Sequence, residues 1–330
     1  MNAPRTRAER DAFARSALQQ VEHERVQVAA HYEHDPAIFS MVLDRRLAYA
    51  TGVFQDPAED LESAQERKFA RIKEKLAIAP GERMLDVGCG WGSNLLYLAQ
   101  HTEGCVHGIT LSEKQREVAL ARAHEWGVAS RVRVDVQHVE ELDFAPESLD
   151  AALFSGSIVH MHNREAIHRQ MVRLLRPGGR MLISDCYYPE QARGNRESTA
   201  TQYIFVEALG YCRLLALSEE LTVMERAGMD VIHVEDLTGH YVLTLERWID
   251  NVRRNRQQIE ALAPGFSRVL QSYMTIARLR RARGPRITGD PNRHIGVRAP
   301  RDAPKDEQRQ DPPARARGSV RDGRTLESSW

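Results

Sequence analysis

The chain has no excess of charge. Lys and Arg together number 46, and so do Asp and Glu, so no global field draws it to nucleic acid or to a membrane surface. It has no long apolar run. The longest are far too short to span a bilayer, and the first residues are charged rather than signal-like. It has only four cysteines, Cys89, Cys105, Cys186 and Cys212, and they follow no metal-ligand spacing. Reduced structural thiols in a cytoplasmic protein are the expectation. Its histidines and carboxylates cluster at no ligand spacing either, so no metal is expected. There is no internal repeat. What remains is 330 residues with 42% hydrophobic content, enough for one large or two modest domains.

The stretch that organises the chain is Arg83 to Gly92. Arg83-Met84-Leu85 and Val87 read as a buried strand, Gly88-Cys89-Gly90 as a turn, and Ser93 to Ala99 as a helix. Strand, glycine turn and helix form the first unit of a nucleotide-binding sheet, where glycine lets the backbone approach a ligand closely. A phosphate loop would carry Lys-Ser or Lys-Thr after the glycines, and a dinucleotide site would space them G-x-G-x-x-G with an acid on the next strand. Here the spacing is G-x-G-x-G and the acid, Asp86, precedes it. A cationic sulfonium donor, S-adenosylmethionine, suits this corner better, since it needs no phosphate cradle.

Downstream, strands are expected at Cys105–Ile109, Arg131–Val136, Leu149–Phe154 and Met181–Ser184. Helices are expected at Glu113–Trp126 and Arg164–Leu175, with a turn at Pro177-Gly178-Gly179. The alternation predicts an α/β fold: a Rossmann-like, mostly parallel sheet with helices on both faces, and ligands at the carboxyl ends of the strands. Before it, residues 1–76 read as an N-terminal helical lid, with Val21 and Val26 on the apolar side of the first helix. The binding domain is expected at 77–280, with a helical insertion at about 190–228 that includes Ser198–Ala208. Residues 281–330 read as a largely disordered Arg/Pro-rich tail, in which His294–Val297 is at most a weak edge strand.

Three sets of residues carry a resemblance. They are Leu85 to Gly92, Gly108 to Gln115, and His240-Tyr241 with Thr244, Leu245 and Trp248. With His31, Tyr32 and Phe39 they resemble class I S-adenosylmethionine-dependent methyltransferases, in the cyclopropane-fatty-acid and mycolic-acid synthase subgroup. The resemblance implies roles. Asp86, Gly88, Cys89 and Gly90 would surround the methionine part of the donor, closed over by Tyr49. Thr110, Leu111 and Gln115 would hold the ribose, Gln137 and His138 the adenine, and Ser155 would lie in the same pocket. The synthases hold a bicarbonate as base, through a cysteine, a glutamate and a histidine. Here Thr51, Val159 and Ser184 stand in those places, so the anion site is not expected.

A base is needed only when a carbon, a hydroxyl or a protonated amine accepts the methyl group. The candidates are Glu207, flanked by Tyr203–Val206 and Ala208-Leu209, together with His31, Tyr32, His160 and Tyr241. The reading is transfer of a methyl group to a small apolar, unsaturated or aromatic acceptor, by C-methylation. Alternatives are an N- or O-methyltransferase, a cyclopropane-type lipid methyltransferase, and a non-catalytic donor-binding protein. The expected partner is a small-molecule acceptor, with no nucleic acid and no stable membrane insertion. A homodimer is left open.

Overall fold

The computed structural model describes residues 19–27, 32, 34–188, 212–282 and 292–299. A first helix, α1, covers 19–27. Next, α2 (Pro36–Val42) begins at Pro36, whose fixed φ suits a first helical position, and Asp35 caps it by accepting from the Ala37 amide at 2.8 Å. In the same way Asp60 accepts from Ser63 N at 2.8 Å and starts α3 (Leu61–Leu76). The core follows as β1 (Arg83–Val87), α4 (Ser93–His101), β2 (Cys105–Thr110), α5 (Glu113–Glu125), β3 (Val132–Val136) and β4 (Leu149–Ser155). Then come α6 (Arg164–Leu174), β5 (Leu175–Cys186), α7 (Leu217–Arg226) and β6 (Asp230–Asp236). The order closes with α8 (Thr238–Arg254), α9 (Arg256–Leu262), α10 (Phe266–Ala282) and β7 (Asn292–Arg298). The helix expected at Ser198–Ala208 lies outside the described residues.

One seven-stranded sheet has the order β3-β2-β1-β4-β5-β7-β6. The pairs from β3 through β5 are parallel, and β7 runs antiparallel to both β5 and β6. The α/β expectation holds. Two readings are corrected. His294–Val297 is no edge strand: Ile295 and Val297 are buried, and β7 is hydrogen-bonded on both sides. A short Arg-flanked segment has little strand signal of its own, and the two neighbours supply the pairing that fixes it. Pro177-Gly178-Gly179 does not separate a helix from a later strand. It lies within β5 as an irregularity, where the register jumps from Leu149↔Leu175 to Ala151↔Arg180. Gly178 takes φ +76° there, and Gly178 N and Gly179 O bond Ala299 at 3.2 and 2.9 Å.

Side-chain alternation along β1 splits the core. Leu85 and Val87 face α6 and α7, with Ile167, Met171 and Met224, whereas Met84 faces α3, α4 and α5, with Ile72, Leu95 and Ala119. Each fully buried leucine in these layers contributes on the order of 2 kcal/mol through the water it sheds. A third cluster joins α2, α8, α9 and α10 with Trp91 of the glycine corner.

The late motif explains how this third layer is fixed. His240 Nδ1 accepts from Phe54 N at 3.2 Å, and Thr244 Oγ1 accepts from Gly52 N at 3.0 Å. Trp248 packs against Tyr49, with ring centroids 5.3 Å apart. Burial and the nearby Arg71 hold the His240 imidazole below its usual pKa, which suits a neutral acceptor. Three residues of α8 thus clasp the segment between α2 and α3.

Candidate active site

At the carboxyl ends of β1, β2 and β4 lies a cleft of about 560 Å³, part of it open to solvent. Its floor is the glycine corner. Gly88 (φ +75°) and Gly90 (φ +55°) line it, and both take a backbone conformation that strains other residues. A Cβ built on Gly88 would stand 2.5 Å from the Cβ of Ser157, whose hydroxyl donates to Val87 O at 2.5 Å. Gly88→Ala is therefore expected to abolish measurable binding of S-adenosylhomocysteine by calorimetry. It should also cost roughly 2–3 kcal/mol of stability, strain and clash combined. Gly81→Ala has the same sign of φ but open space around it, and should cost only about 1 kcal/mol with binding intact.

One wall carries Thr110, Leu111 and Gln115. Thr110 Oγ1 donates to Gln115 Oε1 at 2.6 Å, and the Ser112 hydroxyl caps α5 by accepting from Gln115 N at 3.2 Å. The helix cap is thus Ser112, which leaves Thr110 and Gln115 as a hydroxyl–amide pair facing the cleft. Opposite stand Gln137, His138 and His160. His138 is buried. Its Nδ1 accepts from Glu140 N at 3.2 Å, so Nε2 carries the proton, and Nε2 meets Glu24 at 3.1 Å.

Several expected residues sit elsewhere. Asp86 is buried behind the glycine corner, because period-two alternation turns it to the α3 side with Met84. Among the described residues neither its carboxylate oxygens nor the buried ammonium of Lys68 have a partner at full hydrogen-bond distance, though the Leu95 amide also acts on the carboxylate. Burial lifts Asp86 to about 7 against the pull of Lys68, and burial lowers Lys68 to about 8. Cys89 packs its thiol over Gly108, where a Cβ would meet Sγ at 2.8 Å, and burial raises it well above the ordinary thiol range. Only its backbone belongs to the turn. Ser155 Oγ, at the end of β4, is buried and has no hydrogen-bond partner among the described residues. Tyr49 and Tyr241 belong to the aromatic cluster rather than to the cleft lining. The Tyr241 hydroxyl meets that of Tyr273 at 3.2 Å. His31 and Glu207 lie outside the described residues.

The structure adds one residue that carries no motif signal, Glu24, and gives surroundings to another, Asp185, which the sequence places at a strand end near the donor pocket. Glu24, on α1, lines the cleft although it is 1% exposed. Val26, expected on the apolar side of that helix, is 54% exposed. Asp185, near the end of β5, is buried, accepts from Cys186 N at 2.7 Å and from Val159 N at 3.4 Å, and is raised to about 6 by burial. Its charge, after burial itself, helps to lift the Tyr32 phenol to about 12. Tyr32 joins the two compartments. It lines the cleft and also packs against Phe39 and Trp91, with ring centroids 6.1 Å away in each case.

The mycolic acid cyclopropane synthetase family model matches residues 19–282. The chain belongs to this family, whose members are S-adenosylmethionine-dependent methyltransferases. It is 32% identical over 195 residues to Methyltransferase GfsG of Streptomyces halstedii, covering 57% of this chain and 67% of that protein. It is 27% identical over 252 residues to cyclopropane mycolic acid synthase 2 of Mycobacterium bovis, covering 71% and 82%. Alignments span between about half and two thirds of the length of the first curated relatives. The crystal structure of the mycolic acid cyclopropane synthase CmaA1 with S-adenosylhomocysteine superposes with a TM-score of 0.75 at 24% identity, covering 83% of this chain and 98% of that one. The cleft fits the donor this family uses. Its floor is bare backbone, and it offers a hydroxyl–amide pair, a histidine and a carboxylate along its length. The N-terminus of α4 lies just beyond the glycines, where helix amides favour a carboxylate.

Proposed function

We propose that this methyltransferase acts on a carbon atom of a small apolar, unsaturated or aromatic acceptor. The observation that carries this is the apolar aromatic cluster that meets the cleft at Tyr32. Phe39, Tyr49, Trp91, Tyr241 and Trp248 pack together in it, and Asp185 acts electrostatically on Tyr32. A sulfonium methyl is already activated, so alignment of the acceptor does most of the work. Gly88, Gly90, Thr110, Gln115 and His138 are the residues that would hold the donor, with Tyr49 in the aromatic cluster beside them.

A carbon acceptor must then lose a proton. Thr51, Val159 and Ser184 are buried; by the resemblance they stand for the synthases' anion ligands, and a hydroxyl, an isopropyl and a hydroxyl would replace that set. Asp185 is a buried carboxylate of the chain itself, near the end of β5, and its charge reaches Tyr32, which lines the cleft. With a pKa near 6 it is ionised at neutral pH and able to take the proton. Tyr32, near 12, stays protonated and orients. His160 lines the same cleft, and His31 and Glu207 remain candidates beside them.

The test is turnover to S-adenosylhomocysteine against indoles, prenyl compounds, unsaturated lipids and amines, with NMR of the product. New methyl carbon on carbon is expected, and methyl only on oxygen or nitrogen would overturn the reading. Oxygen is the second reading, favoured by similarity to the 27-O-demethylrifamycin SV methyltransferase of Amycolatopsis mediterranei, 32% identical over 189 residues.

A further inference from the structure

We infer that Glu24 recognises the adenine of the donor, its carboxylate accepting from the exocyclic amino group while holding α1 over the cleft. On α1 the neighbours Glu22 and His23 are exposed, and Val21 and Glu24 turn inward. An inward carboxylate must be met by donors. Glu24 Oε1 accepts from His162 N at 2.8 Å and from Gln20 Nε2 at 3.2 Å, and Oε2 accepts from His138 Nε2 at 3.1 Å. A carboxylate has about four acceptor sites. Among the described residues three are used, and the one left is on Oε2, in a side chain that lines the cleft beside Gln137, His138 and Val139.

The chemistry selects one base. A carboxylate only accepts, so it attracts an amino group and repels a carbonyl oxygen at the same position. His138 cannot reverse this, because its Nδ1 is engaged by Glu140 N and its proton already points at Glu24. The same oxygens reach two separate segments of the sheet end, at His138 and at His162. Recognition of the base and closure of α1 therefore share one side chain.

The test is calorimetric titration with S-adenosylhomocysteine and with S-inosylhomocysteine, in which an oxygen replaces the amino group. The unaltered protein is expected to prefer the adenosyl compound by about tenfold or more. In Glu24→Gln the amide can donate to the oxygen, so the preference should shrink to near unity or reverse. In Glu24→Ala it should vanish while both ligands weaken. Equal affinity of the unaltered protein for the two compounds overturns the inference, whatever the variants do. So does a preference that survives in the variants, with both affinities falling in parallel, since Glu24 then only fastens the helix.

Discussion

Asp185→Asn is expected to lower kcat by roughly a hundred- to ten-thousandfold, the usual worth of a positioned base, with binding of S-adenosylhomocysteine essentially unchanged. Asparagine keeps the size and can still accept from Cys186 N, so the loss reports the missing charge. The pH dependence gives an independent check. The carboxylate must be ionised to take a proton, so kcat should rise with pH through about 6, where burial places Asp185, and then level off. The Tyr32 phenol, near 12, adds no second limb in the neutral range. An activity flat from pH 5 to pH 8 would falsify this assignment. Glu207→Gln is the parallel measurement: loss there, with Asp185→Asn unaffected, moves the base to Glu207.

The largest effect on stability should come from Glu220→Gln. Glu220 and His168 are fully buried and Arg164 nearly so. The carboxylate meets Arg164 at 3.2 Å and His168 at 2.6 Å. Burial alone would raise Glu220, but Arg164 and His168 outweigh it and hold it below its usual range. Removing the charge strands a buried guanidinium and should cost about 3–5 kcal/mol, a fall in Tm of roughly 10 °C. Replacing Arg164 and Glu220 together by Met should cost much less. The exposed pair Glu165–Arg169 is the contrast, and Glu165→Gln should cost under about 1 kcal/mol. Because the folded carboxyl is depressed, the stabilisation is present above the unfolded pKa and is lost as pH falls through the lower folded value. The network also bears on the site. Arg164 donates to Arg213 O at 2.8 Å, and Arg213 N donates to Val159 O at 2.6 Å. Its loss loosens the backbone whose Val159 amide faces Asp185.

The sheet was legible because its signals are local. The glycine corner, the strand at Arg83–Val87 and the capped helices that follow are each written in consecutive residues. What escaped was set by distant partners. A period of 3.6 groups apolar residues, so it could place Val21 inward but not Glu24, whose burial depends on His138 and the His162 amide over a hundred residues away. Asp86 stands in the donor motif, and the alternation of β1 turns its side chain to the α3 side with Met84, a direction that consecutive residues do not announce. Of the motif tyrosines, Tyr32 lines the cleft, while Tyr49 and Tyr241 both pack against Trp248.

The place of β7 sets a practical boundary. It enters between β5 and β6, so β6 has no other partner in the sheet. A shortened protein cut at residue 281, where composition suggests the domain stops, would lose an interior strand, leave β6 unpaired and bare one edge of β5. Any truncation meant to keep the enzyme whole must leave the chain intact through Ala299, whose amide and carbonyl pin the bend in β5.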